Sequence, residues 1–276
     1  MISVKGLYVY PVKSLAGFSV TTANLTDRGF QYDRRWMLID EHNRFISQRE
    51  FPKMALLQTA ITDTHLEIFL KNDESINSKI PLEISSPDLI KVQIWDDTTE
   101  AILLPDNINN WFSKILETNC CLVYMPDSIH RLVDERYATH QEITGFSDAY
   151  PLTVISDESL NDLNARLEKK IQMNRFRPNI IIEGCYPYFE DQLKHFSINN
   201  IEFFGVKLLA RCPIPTIDQD TAVKGKEPIK TLSKYRTKNN KVYFGQNLIY
   251  NQKGQIRIGD ELKIVSLQPP AFDHSI

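Results

Sequence analysis

Glycine is scarce in this chain, with 10 in 276 residues. None of these glycines forms the G-x-G-x-x-G turn of a dinucleotide site or the G-x-x-x-x-G-K-[ST] loop that cradles nucleotide phosphates. The G-x-S-x-G elbow is missing too, which excludes a serine hydrolase of the α/β type. Four cysteines, Cys120, Cys121, Cys185 and Cys212, include no C-x-x-C pair. Their spacing suits neither a disulfide framework nor a four-cysteine iron–sulfur cluster, and it fits a reducing compartment. No two histidines have the H-x-x-x-H spacing of a helical zinc site. Positive charge is not in surplus: the net charge of −3 supplies no global field for nucleic acid. No apolar run is long enough to span a bilayer, and Met1-Ile2-Ser3 enters a strand-like run with no signal peptide. These absences predict a cytoplasmic protein with neither nucleic acid nor membrane as partner.

What the sequence does contain is a succession of short β-forming runs. Residues 4–10 are rich in β-formers and stop at Pro11. Residues 36–40 and 44–48 read as a hairpin around Glu41-His42-Asn43, and 56–62 with 66–70 as another around Asp63-Thr64. Residues 71–79 are polar and read as a surface loop. Residues 92–95 and 99–104 pair around Asp96-Asp97. A helix is predicted over 107–116 with Asp106 as N-cap, then a strand over 122–124. Residues 126–150 lack periodicity, which marks a functional or mobile stretch.

The second half opens with a strand at 152–155. A helix capped by Ser156 or Asp157 follows, whose apolar stripe is Leu160, Leu163, Leu167 and Ile171. Further strands are predicted at 180–182, at 201–204 and 206–210 as a hairpin turned at Gly205, and at 242–244 and 248–250 flanking Gly245-Gln246-Asn247. A last hairpin is predicted from 255–260 and 262–267. The expected class is mainly β with a few helices (α+β), divided at 1–120 and 121–276.

One stretch stands out: the apolar run Leu208-Leu209-Ala210 leads into Arg211-Cys212, and Pro213 and Pro215 stiffen the chain directly after the thiol. A thiol at a strand end beside a guanidinium is a place where a thiolate, and with it a transition metal, can be held. The alternative is a small buried hydrophobe. Other polar clusters sit at strand ends: Lys13-Ser14, Arg34, Arg177 with Asn179, and Gln246-Asn247. Such cations and donors suit a phosphate or other anion, although singly each reads equally as a solvated surface charge.

Taken in order, these motifs resemble the MOSC family, the molybdenum cofactor sulfurase C-terminal domain proteins, in its amidoxime-reducing branch. Tyr10-Pro11-Val12-Lys13-Ser14 and Asp33-Arg34-Arg35-Trp36 are similar to that family's N-terminal β-barrel domain. Leu163-Asn164-Ala165-Arg166-Leu167, Phe176-Arg177-Pro178-Asn179, Arg211-Cys212 and Phe244-Gly245-Gln246-Asn247 are similar to its MOSC domain. The resemblance implies an N-terminal β-barrel-like domain packed on a MOSC β-barrel domain, with a molybdenum–pyranopterin (Mo-molybdopterin) held between them. It further implies Cys212 as metal ligand and catalytic residue, with Lys13, Ser14, Arg34, Arg177, Asn179, Arg211 and Asn247 contacting pterin or phosphate. The implied activity is reduction of N-hydroxylated compounds (amidoximes, hydroxylamines, N-hydroxylated bases). Electrons would come from a separate ferredoxin- or flavoprotein-like donor. The family label also carries pyridoxal phosphate, for which no Schiff-base lysine is indicated. Ala149, Tyr150 and Ala210 stand where relatives place hydroxyl residues. Asp218 and residues 126–150 are the candidate proton donors, and Cys185 is expected in the core. Two other readings stay open: a sulfur carrier using a Cys212 persulfide, and a non-catalytic cofactor-binding module.

Overall fold

The computed structural model describes residues 1–138 and 140–272. The chain is mainly strand with three α-helices, Asp106–Leu116, Asp157–Ala165 and Ile229–Leu232, among the described residues. The largest sheet runs in the order Phe18–Val20, Ser3–Val9, Ile180–Glu183, Leu152–Ser156, Lys241–Tyr250, Ile201–Ala210, Leu193–Ile198 and Leu262–Leu267. Only the Leu152–Ser156 and Ile180–Glu183 pair within it is parallel, with the helix Asp157–Ala165 lying in the crossover, as a parallel pair requires. A second sheet holds Trp36–Ile39, Cys121–Tyr124, Asp97–Leu103 and Ile90–Ile94. A three-stranded meander of Leu57–Ile61, His65–Leu70 and Asp73–Pro81 stands beside it.

Two apolar cores result from this arrangement. One lies against the large sheet and includes Leu7, Val9, Phe30, Leu152, Ile180, Phe203 and Leu248. The other includes Val12, Trp36, Leu57, Leu66, Phe112 and Leu122. Each such side chain contributes roughly 1.5–3 kcal/mol by leaving water. The chain passes from the first core to the second twice, between Val9 and Val12 and between Phe30 and Trp36. The two crossings are bonded to each other. Arg34 N–H donates to the Tyr10 carbonyl at 2.8 Å, Lys13 N–H to Trp36 at 2.8 Å, and Trp36 N–H to Pro11 at 3.1 Å. Lys13, Ser14 and Arg34 therefore lie on the seam between the cores.

Several elements match the sequence-based expectation. The Trp36 hairpin closes through Asp40 N–H to Arg44 O at 2.8 Å. Ser156 caps its helix by accepting from Ser159 N–H at 3.1 Å. That helix ends at Ala165, yet Leu167 and Ile171 still pack on the core formed by Leu160 and Leu163. Cys185 is partly buried against the large core, its thiol raised by burial and by the Glu158 carboxylate.

Other elements differ. Asp106 lies inside its helix, and Pro105 holds the cap position. Residues 71–79, expected as a loop, instead contribute to the strand Asp73–Pro81. Alternation buries Ile80 and leaves the polar face to water, as suits an edge. Residues 255–260 and 262–267 do not pair with each other. Gly254–Arg257 pairs with Thr22–Leu25, and Leu262–Leu267 with Leu193–Ile198. Alternation marks the buried face of a strand but does not choose its neighbour. Ile201–Ala210 and Lys241–Tyr250 are each continuous and pair with one another, with register shifts between Gly205 and Lys207 and between Leu208 and Ala210. Gly205 is not a turn but a point of close approach: a Cβ there would stand 1.9 Å from the Leu193 carbonyl oxygen. Gly245 has φ +88°, a left-handed value that lets its strand bend without ending.

Beneath the short 3-10 turn Phe189–Gln192 lies a buried ionic group. Arg236 donates to Asp191 at 2.5 Å, and both side chains are out of contact with solvent. The neighbouring Glu190 accepts from Ser159 Oγ at 2.9 Å, while its other carboxylate oxygen has no partner among the described residues. Burial, then the adjacent Asp191 charge, pushes Glu190 up to about 7 from an ordinary 4.5.

Two stability outcomes are expected. Gly205→Ala forces backbone apart in the middle of a sheet and should cost at least about 2 kcal/mol in denaturant unfolding. A carboxyl whose pKa rises on folding binds a proton in the native state that the unfolded chain lacks. Its destabilising effect therefore grows as pH climbs from about 4.5 to about 7. Glu190→Gln keeps the Ser159 hydrogen bond. It should be more stable than the parent at pH 8, by on the order of 2 kcal/mol, with little difference at pH 5.

Candidate functional site

A cleft opens at the seam, enclosing about 880 Å³, part of it open to solvent. Lys13, Ser14, Arg34, Arg177, Asn179, Arg211, Cys212 and Asn247 all line it. These eight residues come from well-separated parts of the chain, so their meeting is a product of topology. The strand Ile201–Ala210 delivers Arg211 and Cys212, and Arg211 N–H donates to Val242 O at 2.8 Å. Asn247 comes from the neighbouring strand Lys241–Tyr250, and Arg177 and Asn179 from the approach to Ile180–Glu183.

Each side chain has a definite support. Lys13 is buried and donates to Phe146 O at 2.9 Å and to Asp148 Oδ1 at 2.6 Å. Burial lowers its pKa, against the opposing pull of Asp148. Arg34 donates to Asp33 at 2.5 Å, to Asn179 Oδ1 at 3.0 Å and to Arg177 O at 3.2 Å. Asn179 is fully engaged: it also accepts from Thr153 N–H and donates to Tyr8 O at 3.2 Å. Its amide orients Arg34 and ties the cleft wall to the large sheet. Arg211 donates to Phe244 O and to Phe176 O, both at 2.8 Å. Its remaining terminal nitrogen, Nη2, is buried without a partner among the described residues. The missing side chain at Gly245 makes room here, since a Cβ would stand 3.3 Å from that nitrogen. Asn247 donates to Lys207 O at 3.0 Å. Cys212 is a free thiol, partly exposed in the cleft.

The Arg177 guanidinium makes no hydrogen bond to another described side chain or carbonyl. It lies 4.4 Å from the centre of the Tyr10 ring, and the Arg34 guanidinium lies 4.5 Å from the same ring. Cation–π attraction holds two like charges close together. Burial, then the Arg34 charge, lowers Arg177 to about 10, and burial lowers Arg211 to about 10. Ser14, Arg34 and Arg177 all have positive φ, at 69°, 47° and 55°. Such left-handed values are uncommon outside glycine and concentrate at functional sites.

The lining also contains Phe45, Arg49, Trp95 and Arg175, which sequence reasoning did not assign to the site, and Asp148, from the 126–150 stretch expected to hold a proton donor. Asp148 accepts from Lys13 and from Trp95 Nε1 at 3.1 Å. Desolvation in the cleft pushes its carboxyl up, but the Lys13 charge and these hydrogen bonds more than offset that and hold it far below the ordinary carboxylate range. Asp218, a candidate proton donor, is not in the lining and accepts from Arg175 at 2.6 Å. Burial raises its pKa, but hydrogen bonds from Thr221 and Asp220, with Arg175, hold it below the ordinary value. It stays ionised at neutral pH and is no general acid.

Six cations therefore line the cleft, Lys13, Arg34, Arg49, Arg175, Arg177 and Arg211, against one carboxylate, Asp148. Among the described residues no three of His, Cys, Asp or Glu gather as a metal-ligand set. The donor set thus fits an anionic group that brings most of its own metal ligands, with Cys212 adding one soft sulfur. No helix of the described residues is long and apolar enough to cross a membrane.

The fold and the cleft together define a two-part, mainly β protein with an anion- and thiol-lined site at the junction. The MOSC N-terminal beta barrel domain matches residues 1–119 and the MOSC domain residues 141–263. The chain is 30% identical to mouse (Mus musculus) mitochondrial amidoxime-reducing component 1, across 95% of this chain and 82% of that protein. It is 33% identical to the molybdenum cofactor sulfurase of rice (Oryza sativa subsp. japonica), across 90% of this chain but only 32% of that longer protein. The rat (Rattus norvegicus) mitochondrial amidoxime reducing component 2 is 29% identical, across 94% of this chain and 82% of that one. This chain belongs to the MOSC family, in the branch of the amidoxime-reducing components. Its relatives are enzymes or molybdenum-cofactor proteins.

An anion in the cleft would relieve the unpaired guanidinium groups. Millimolar phosphate should raise the thermal midpoint where chloride at equal ionic strength does not. Arg177→Gln should be more stable than the parent without phosphate and lose most of the phosphate shift. A shift that survives in both Arg177→Gln and Arg211→Gln would rule out the cleft as the anion site.

Proposed function

We propose that this protein is a molybdenum-cofactor-dependent reductase of N-hydroxylated compounds, fed with electrons by a separate protein. The observation that carries the reading is the convergence of a partly exposed thiol with six cations and a single carboxylate in one cleft. When bound, a molybdenum–pyranopterin would supply the two-electron chemistry that turns an N–O bond into N–H and releases the oxygen as water. Lys13, Ser14, Arg177 and Arg211 would hold its phosphate and pterin, with Asn247 as a further polar contact. Asn179 acts one step back, by orienting Arg34. Cys212 would hold the metal.

The chain's own part is positioning and electrostatics. Charges fixed before binding need no reorganisation. Arg34 and Arg211 are fixed by backbone carbonyls, so their donors remain aimed whatever the solvent does. The positive field favours a more negative, reduced centre. Asp148 and Asp218 are both ionised at neutral pH, so the two protons consumed would enter from solvent through the open cleft.

The rice sulfurase likeness favours a second reading, a persulfide carried on Cys212 without metal. Metal analysis separates the two. Protein made in a host that synthesises the cofactor should contain near-stoichiometric molybdenum and reduce benzamidoxime with a dithionite-reduced viologen. Cys212→Ala should lose both while keeping the thermal midpoint of the cofactor-free parent. A persulfide at Cys212 with no molybdenum, after cofactor reconstitution has been attempted, would establish the carrier instead.

A further inference from the structure

The hairpin of Ile90–Ile94 and Asp97–Leu103 ends in a two-residue turn, Trp95-Asp96, because Ile94 and Asp97 are its last pair. Trp95 has φ +54°. The first position of such a turn favours glycine, asparagine or aspartate, and a bulky aromatic residue there is an outlier. Packing does not account for it, since the residue is 42% exposed. The other tryptophans differ: Trp36 is 1% exposed and Trp111 packs on its helix neighbour Phe112.

Where the ring goes is informative. Trp95 lines the cleft, and its Nε1 donates to Asp148, the carboxylate that holds Lys13. The Arg49 guanidinium lies 4.3 Å from the indole centre, and the Phe45 ring stands 5.2 Å away, tilted by 57°. Arg49 and Phe45 also line the cleft. Arg49 covers one face of the indole and Phe45 braces it. The strained residue is thus a flat, half-exposed aromatic surface, fixed in rotation and mounted at the rim of the candidate active site.

On the reductase reading, we infer that Trp95, braced by Arg49 and Phe45, is the substrate-selecting lip of this cleft, taking the planar aromatic or heteroaromatic body of an N-hydroxylated substrate by stacking. Small aliphatic N-hydroxylated compounds reach the same reacting centre but gain nothing from the lip. The surrounding cations disfavour positively charged bodies, so the preferred ligands are neutral and flat at neutral pH. Trp95 is a positioning and specificity residue, since nothing requires it to touch the reacting atoms.

The test pairs benzamidoxime with acetamidoxime on the full chain from a cofactor-making host, without reductant so that no turnover occurs. Calorimetry should find benzamidoxime bound at least about tenfold more tightly, the scale of one aromatic stack. Trp95→Phe should keep most of that preference. Trp95→Asn, which suits the left-handed turn, should abolish it and leave the thermal midpoint unchanged or higher. A preference absent from the parent, or intact in Trp95→Asn, overturns the lip. So does a midpoint that falls in Trp95→Asn with the preference unmoved, which would make the residue purely structural. Viologen-driven turnover of both compounds is read separately. If neither is reduced, the reductase reading fails while the calorimetric preference still decides the lip.

Discussion

A group of cations held close together with too few carboxylates is the constraint to which the rest of this structure answers. Arg34 and Arg177 share the ring of Tyr10 at 4.5 and 4.4 Å. Arg211 is anchored by two carbonyls and keeps a buried nitrogen unpaired among the described residues. Burying charge against neutral partners is costly, and burial accordingly lowers the pKa of both Arg177 and Arg211. Stability must therefore come from elsewhere, and it comes from the two apolar cores on either side. The site is where the fold is least satisfied by its own atoms, which is why an external anion suits it.

Local backbone features serve the same constraint. Left-handed conformations at Ser14, Arg34 and Arg177 turn donors inward where an extended chain would point them elsewhere. Gly245 lets Lys241–Tyr250 bend past Arg211, and any Cβ there would also strike Ile155 Cγ1 at 2.7 Å. Asn179 joins the pieces by receiving Arg34 while gripping Tyr8 O. Without that bridge the two crossings would be joined to the large sheet by fewer polar links.

Much of this was legible in the sequence, for identifiable reasons. Short β-forming runs with turn residues between them announced the strand-rich class, and the ordered motifs around Lys13, Arg34, Arg177, Arg211 and Asn247 announced the cleft lining. Strand partners were not legible. Gly205 and Gly245 look like turns in one dimension, because glycine marks both a reversal and a close approach, and only the neighbouring Leu193 carbonyl separates the two. Ile256 and Leu262 show which faces are buried, but alternation carries no record of the pairing with Thr22–Leu25 or Leu193–Ile198. Trp95 and Arg49 were not legible because no short motif contains them, and Asp148 was marked only as part of the 126–150 stretch. Their common place comes from a hairpin tip folding over a seam. The only signal available was an aromatic residue directly before Asp96-Asp97, where a turn was expected.

The two sides of the cleft are mounted differently, and this bears on how such a site can work. Lys13 and Arg34 sit on crossings that are bonded to each other, and Asn179 links Arg34 to the strand beyond Arg177. The anion-facing wall is therefore one hydrogen-bonded unit, which favours preorganisation over adjustment. Phe45 and Ile94 belong to a smaller separate core with Met37, Val92 and Phe146. That core is tied to the anion-facing wall, since Lys13 Nζ donates to Phe146 O at 2.9 Å and Phe146 N–H to Arg34 O at 2.7 Å, and the lip adds Trp95 with Asp148 and Lys224 Nζ with Arg49 O at 2.8 Å. A hydrogen-bonded wall fixes a charged group in one pose, while a rim that offers an aromatic face imposes no hydrogen-bond geometry of its own. Tight holding of one ligand and tolerance toward another are opposite demands, and assigning them to different cores lets one cleft meet both.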